Sequence, residues 1–454
     1  MKPAETKEIT LIGAGLAGSL LAVFLAKRGH RVAIYERRPD LRKVAISAGR
    51  SINLALANRG IDALERVGMM DRIRPHLIPM SGRMLHDERG HLQLLPYGNK
   101  PHEVIHSVSR GGLNALLMHA AEATGNVAIH FGRTCRRVDL ARSEAEIATD
   151  EDRVERVPYQ VLIGTDGSAS AVRASIMKAV DGAIAEEPLE HGYKELSIPP
   201  AEGGGFRMEK HALHIWPRGD YMLIALPNID GSFTVTLFLP QKGPESFEAL
   251  TDERSVLDLF TRRFPDAVPL LENLVEEFFT NPTGHLETIR CHPWSAGRAL
   301  ILGDAAHAIV PFHGQGMNAA FEDCSALDEL LQRSHREWNE IFRDFEAIRK
   351  PNAEAIADMA LENYVEMRAS VREAKFQLEK ELSFRLEERH PARFIPRYSM
   401  VMFHSIPYAE AQRRGAIQEG ILEELVANAS SLGDVDLARA DRLIDERLGM
   451  SFRT

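Results

Sequence analysis

Residues 298–318, RALILGDAAHAIVPFHGQGMN, bring turn glycines, a carboxylate and two histidines into one short stretch. An apolar strand over Ala299 to Leu302 is expected to end at Gly303-Asp304. A tight turn through Pro311, His313, Gly314, Gln315 and Gly316 then leads into a helix near Met317-Asn318. Gly303 and Gly316 carry no Cβ, so backbone there can approach a ligand closely. The first turn of the helix offers unpaired N–H groups and a positive dipole end to an anion or an electron-rich ring. Asp304 supplies oxygens that accept hydrogen bonds from ligand hydroxyls. A bare strand–turn–helix junction is the plainer alternative.

A second constellation stands near the start. Ile9 to Ile12 form a buried-type strand followed at once by Gly13-Ala14-Gly15-Leu16-Ala17-Gly18, and an apolar helix runs from about Ser19 to Lys27. A further strand, Arg31 to Tyr35, ends at Glu36, which lies 18 residues after Gly18. Strand, G-x-G-x-x-G, helix, strand and acid make up the dinucleotide-binding fingerprint. Gly13 permits the tight turn, Gly15 lets backbone approach a pyrophosphate, and Gly18 lets helix and strand pack closely. Glu36 is placed to hold ribose hydroxyls. A third motif, GTDGSASAVR at 164–173, follows the apolar run Val161 to Ile163; Asp166-Gly167 signals a turn and the residues beyond are helical in character.

The elements between these motifs follow from periodicity. GRSINLALANRG at 49–60 is polar, then alternating, then turn-like, and residues 61–74 read as a helix. Met80 to Tyr97 read as a hairpin around Asp87-Glu88-Arg89-Gly90; if its strands pair antiparallel, Arg83 and Tyr97 meet at one end, although each taken singly reads as an ordinary surface residue. A strand at 104–108 precedes a helix opened by Arg110, and 141–156 is expected as a polar hairpin tip. From about 180 to 285, Pro- and Gly-separated runs indicate an antiparallel sheet. There Met222, Ile224 and Leu226 share one face, and Phe238 falls with Ser232, Thr234 and Thr236. That face could be the wall of an aromatic-ligand pocket, but periodicity alone favours plain core. From about Asn318 to Arg389 the chain is helical, with Asn363 and Met367 on one helix face.

Bulk properties narrow the class. At 454 residues the chain exceeds the size at which one core stops growing, so more than one domain is expected. A net charge of −10 leaves no basic footprint, which excludes nucleic acid as an expected partner. Cys135, Cys291 and Cys324 are scattered and odd in number, arguing for a reducing compartment and against a disulfide framework or a cysteine zinc site. His102 and His106 have i, i+4 spacing but fall across a strand-like stretch, and His211 and His214 lack an acidic partner nearby, so no metal is expected. The start has no secretory layout and no window reaches the length of a membrane span, so a cytoplasmic protein with no membrane partner is expected.

The three motifs in this order resemble the single-component FAD-dependent aromatic hydroxylases, the p-hydroxybenzoate hydroxylase-like flavoprotein monooxygenases. GRSINLALANRG, Arg83, Tyr97 and ENYVEMR at 362–368 are similar to the branch of that family that acts on L-kynurenine. The charged C-terminal tail differs from the membrane anchor of eukaryotic members and implies a soluble bacterial form. The resemblance implies an α/β fold with a Rossmann-type FAD-binding domain (1–180 and 286–330), an inserted antiparallel β-sheet substrate domain (181–285, with the 79–100 hairpin) and a C-terminal helical region (331–454). It implies tightly bound FAD contacted by Gly13, Gly15, Leu16, Gly18, Glu36, Arg37, Arg38, Ala55, Arg110, Cys135, Asp166, Asp304, Met317 and Asn318. It assigns the substrate's amino-acid end to Arg83, Tyr97, Asn363 and Tyr398, and its ring to Leu213, Met222, Ile224, Leu226, Phe238, Phe312 and His313.

The implied reaction is hydroxylation of L-kynurenine to 3-hydroxy-L-kynurenine with NADPH, a transient co-substrate, and O2, in tryptophan catabolism or quinolinate and NAD biosynthesis. The residue types agree with it. A guanidinium binds an α-carboxylate through charge-assisted, bidentate hydrogen bonds, and an aminophenyl ketone requires an apolar slot. No acid or base beyond the flavin is required; His313 is open as a helper near it. With one glycine fingerprint present, NADPH is expected to bind without a Rossmann site of its own. Hydroxylation of a salicylate- or hydroxybenzoate-type acid is the alternative, and a monomer or homodimer is expected.

Overall fold

The computed structural model describes residues 8–43, 53–150, 153–333, 336–368 and 374–449, so the opening Gly49 to Ile52 of the 49–60 segment lies outside the described residues. The apolar runs picked out around the glycine motifs lie side by side. Glu8–Ile12 is flanked by Arg31–Glu36 and by Val161–Gly164, both parallel to it, and Ala299–Ile301 pairs parallel with Val161–Gly164. Val127–Phe131 and the short Ser295–Ala296 close the two edges of this six-stranded sheet. A parallel sheet places the ends of its strands together, and here all three glycine motifs leave the sheet at that end.

These elements belong to one of two compact units, spanning Met1–Leu77, Ser107–Glu190 and Gly284–Ala357. Its first helix, Leu16–Lys27, begins three residues earlier than periodicity suggested, because Gly15 serves as N-cap and Gly18 packs inside the first turn. Every residue from Gly18 to Ala26 is buried, and an apolar helix with no polar face is stable only when covered all round. The helix expected over 61–74 is two shorter ones, Asn58–Arg66 and Met70–Ile73, separated where Gly68 adopts φ +71°. The polar 141–156 segment forms two strands, Glu144–Thr149 and Val154–Pro158, in a three-stranded antiparallel sheet with Arg133–Asp139.

The other unit spans Ile78–His106, His191–Thr283 and Asp358–Thr454. Its sheet contains Ala212–Pro217, Met222–Pro227 and Phe233–Pro240 in antiparallel order, extended by the Gly82–His86 and Leu92–Pro96 hairpin. Contrary to a purely antiparallel expectation, Gly82–His86 runs parallel to Ala212–Pro217. No short turn joins these two strands, so nothing obliges them to reverse. Helices Glu253–Arg263 and Leu274–Thr280 cover one face, burying Trp216, Leu223, Phe233, Val235, Leu237 and Phe260. On that face Asp266 accepts from the Trp216 indole (2.9 Å) and lies 2.7 Å from His86 Nδ1, while His86 Nε2 lies 2.8 Å from His214 Nδ1. Burial pulls the His214 imidazole down to about 4, so it is neutral near pH 7.

The helical stretch expected from Asn318 to Arg389 is three helices, Gly316–Arg333, Trp338–Arg368 and Ala374–Arg389. Ala374–Arg389 shares its own apolar cluster, including Leu382, Leu386, Phe394, Ile421 and Ile444, with the later helices Tyr408–Val426 and Leu437–Arg447. Among the described residues no helix is long and apolar enough to cross a membrane.

Candidate functional site

The glycine motif divides its work by position. Gly13 adopts φ +101°, and a Cβ there would stand 2.5 Å from the Thr165 carbonyl oxygen. A Cβ at Gly18 would stand 2.1 Å from the Gly13 carbonyl oxygen, closer than atoms can approach. Gly15 differs: a Cβ there meets no protein atom within 4 Å, so this is the face a ligand backbone can approach. The Glu36 carboxylate, buried at the end of its strand, accepts from the Ala14 N–H (2.7 Å) and from Arg38 N–H and Nε–H (2.9 and 3.2 Å). Two unanticipated residues hold the turn: Asn114 donates to the Ala14 carbonyl (3.0 Å), and the Thr165 hydroxyl lies 2.8 Å from that of Gly13.

The Gly303-Asp304 turn rests on a buried ionic network whose members lie too far apart in sequence to form a motif. Asp323, fully buried on helix Gly316–Arg333, accepts from Gly303 N–H (2.9 Å), His307 Nε2 (2.6 Å) and Arg349 Nε (2.6 Å). Burial alone would raise this carboxyl, but His307 and Arg349 outweigh it and hold it at about 2. Arg349 also donates to Glu322 (2.7 Å), which pairs in turn with buried Arg59. With its backbone thus fixed, Gly303 takes φ +60° and Asp304 becomes the exposed residue in an otherwise buried run from 299 to 308.

Asn318 uses its whole amide on backbone, accepting from Ala57 N–H (2.9 Å) and donating to the carbonyls of Ala55 and Gly314 (2.8 Å each). It thereby pins the Ala55 strand and the Gly314 turn to the start of its own helix. The N–H groups of that first turn, including Met317, have no intrahelical acceptor, as at the start of any helix. Asp166 is spent similarly: its carboxylate accepts from the Ser170 hydroxyl and the Ala171 N–H (2.8 Å), capping helix Ala171–Val180. Arg173, on that helix, donates to Ala305 O (3.0 Å) and so ties the GTDGSASAVR segment to the Gly303-Asp304 turn. Burial pushes the Cys135 thiol up to about 12, which removes it as a nucleophile. Arg37 and Arg110 are exposed and Leu16 is half-buried.

In the other unit a polar cage surrounds Arg83. Its side chain is 5% exposed, with Nη1 donating to Glu366 (2.8 Å) and Nη2 to Asn363 (3.3 Å). The guanidinium lies 5.9 Å from the Tyr97 ring and 5.3 Å from the Tyr398 ring, and these two rings stack at 5.4 Å. Burial works against the charge on Arg83, but Glu366 and the tyrosines raise its pKa, so it stays cationic. Burial pushes Tyr97 up to about 12 and raises Tyr398 well above the usual phenol value, leaving both as neutral donors. Lys380 brings a second cation within electrostatic reach of Arg83 and Glu366, its own pKa pulled down to about 8 by burial. Glu366 and Lys380 were not singled out from the sequence, although the spacing of Asn363 to Glu366, one helical turn, was available as a signal.

Strand register sets the apolar wall. Arg83 pairs with Leu213, Met222 with Phe238, Ile224 with Thr236 and Leu226 with Thr234, so these residues share one sheet face. It is the face opposite the Trp216–Phe260 cluster, and Met222, Leu226 and Phe238 on it are themselves buried. Phe312 and His313 are buried in a turn of the dinucleotide-binding unit.

The open Gly15 face, the exposed Asp304 on its fixed turn and the acid closing the second strand define a dinucleotide-binding flavoprotein, and these residues fit the adenine nucleotide and ribityl chain of FAD. The comparisons agree: the FAD binding domain model matches residues 6–360. The chain is 50% identical over 452 residues (99% of it, 97% of the relative) to a kynurenine 3-monooxygenase of Myxococcus xanthus (strain DK1622). It is 46% identical to one of Stenotrophomonas maltophilia (strain K279a), covering 98% of this chain and 97% of that one. The solved 2-methyl-3-hydroxypyridine-5-carboxylic acid oxygenase shares the fold, with TM-score 0.65 at 19% identity over 80% of this chain and 93% of that one. The chain belongs to the FAD-binding-domain family of flavoproteins, in the same group as these two bacterial relatives.

Proposed function

We propose that this chain is a flavoprotein monooxygenase that hydroxylates L-kynurenine to 3-hydroxy-L-kynurenine, consuming NADPH and O2. Bound FAD supplies the redox and oxygen-activating chemistry, which no side chain of the protein provides. The protein binds, orients and excludes water. Gly13, Gly15, Leu16, Gly18 and Glu36 hold the adenine nucleotide half, bordered by Arg37, Arg38, Ala55, Arg110 and Cys135. Asp304 takes ribityl hydroxyls, and the first-turn N–H groups at Met317-Asn318 favour an electron-rich ring edge. Asp166 contributes by fixing its loop rather than by touching ligand.

The observation that carries the substrate assignment is the buried Arg83 guanidinium between two tyrosine rings. Glu366 offsets part of the cost of burying this cation, and the remaining N–H donors of Arg83, beside the neutral tyrosine hydroxyls, fit a carboxylate. Tyr97, Tyr398 and Asn363 complete that polar end, and Leu213, Met222, Ile224, Leu226 and Phe238 receive the aminophenyl ring. The test is NADPH oxidation in air by the purified protein, with and without L-kynurenine. Strong stimulation with proportionate 3-hydroxykynurenine is expected. Stimulation without product would make kynurenine an effector only, and a yellow protein that ignores kynurenine would overturn the substrate.

A further inference from the structure

The cage around Arg83 contains a carboxylate that a site for a simple aromatic acid does not need. Glu366 sits one turn beyond Asn363 on helix Trp338–Arg368, so both side chains reach Arg83 from the same helix face. Its side chain is 28% exposed where that of Arg83 is 5%, which makes it the member of the pair that an incoming molecule meets first. One of its oxygens accepts from Arg83 at 2.8 Å, and among the described residues the other has no hydrogen-bond partner. Arg83 carries five N–H donors, of which Glu366 and Asn363 engage one each, so it can bind a second carboxylate without releasing the first. Lys380 lies within electrostatic reach of both Arg83 and Glu366. The cluster thus presents a cation and an anion side by side, with cationic capacity in excess.

An α-amino acid carries its carboxylate and its ammonium on a single carbon, so it presents the complementary pair at the same close spacing. We propose that Glu366 is a specificity-determining residue that accepts the substrate's α-ammonium while Arg83 binds the adjacent α-carboxylate, so that the site selects α-amino acids over the corresponding simple acids. This rests on the kynurenine reading and deepens it. The alternative is that Glu366 serves only to neutralise buried Arg83. In that case it competes with any substrate carboxylate and cannot tell an amino acid from a des-amino acid.

The experiment compares kcat/KM for L-kynurenine and for 3-(2-aminobenzoyl)propanoate, which is kynurenine without the α-amine, in the wild type, Glu366→Gln and Glu366→Asp, each with its flavin bound. The wild type should prefer kynurenine by about tenfold or more, the worth of one charge-assisted hydrogen bond. Glu366→Gln should raise KM for kynurenine by about that factor relative to its effect on the des-amino acid, with kcat for kynurenine little changed, so that the preference collapses. Glu366→Asp, which keeps the charge on a shorter arm, should recover part of it. Equal changes for both compounds in Glu366→Gln, or a preference that survives it, would overturn the assignment and leave Glu366 a counter-ion. A wild type that turns over neither compound, yet binds flavin, would instead defeat the kynurenine reading itself.

Discussion

The two units prepare for charge by different means. In the dinucleotide-binding unit the groups proposed to meet ligand are mostly main chain: the open face at Gly15, the N–H groups ahead of Ala319 and the turn at Gly303. Side chains such as Asp323, Asn114, Thr165 and Asn318 work behind them, holding backbone in place. In the other unit the proposed contacts are side chains, and Arg83, Tyr97, Asn363 and Tyr398 form a cage whose backbone is ordinary strand and helix. The difference teaches where damage should fall. Backbone cradles fail through their distant supports, whereas side-chain cages fail at the contacting residue.

The sharpest way to break the comparison is at Asp323. Asp323→Asn removes the charge that compensates His307 and Arg349, and breaking a buried ion pair costs about 3–5 kcal/mol. The variant should lose bound flavin as well as stability, measured by flavin content and thermal melting. A yellow variant of normal stability would mean the cradle does not depend on its buried support.

Acid should separate the units next. His214 is held neutral with a pKa of about 4 against about 6.5 when unfolded. The unfolded chain therefore binds more protons in this window, and stability falls as pH drops from about 6.5 to about 4, by roughly 3 kcal/mol. Asp323, depressed to about 2, contributes stability that is present above about 4 and is lost only below that. Pulse-labelled hydrogen exchange should show Phe233–Pro240 losing protection at a higher pH than Ala299–His307. The reverse order would contradict the assignment of these groups.

Within the cage, Arg83→Ala should raise KM for kynurenine by about 10- to 100-fold, the loss of a charge-assisted pair, while flavin content stays normal. Flavin loss in this variant would show that the units are not independent in ligand binding. The finest contrast lies inside the glycine motif. Gly18→Ala forces a Cβ onto the Gly13 carbonyl and should destabilise the apoprotein by about 1–3 kcal/mol. Gly15→Ala, at φ −72° with open space around it, should leave apoprotein stability within about 0.5 kcal/mol and weaken flavin binding instead. Equal melting temperatures for the two apoproteins would erase the distinction drawn between these glycines.

What the sequence by itself determined was everything carried by local spacing. G-x-G-x-x-G with its flanking strands and Glu36 could hardly form anything else, because each glycine answers a steric demand within a few residues of itself or of its paired strand. Alternation likewise placed Met222, Ile224 and Leu226 on one face, since side chains in a strand point to opposite sides in turn. Which face carries helices Glu253–Arg263 and Leu274–Thr280 was decided only by their docking, which no alternation encodes. The same holds for the Asp323–Arg349 network, the parallel pairing of Gly82–His86 with Ala212–Pro217, and the meeting of Glu366 and Lys380 with Arg83. Buried charges are tolerated only when their partners arrive from elsewhere in the chain, so the residues that fix a site electrostatically are those whose spacing carries no local signature.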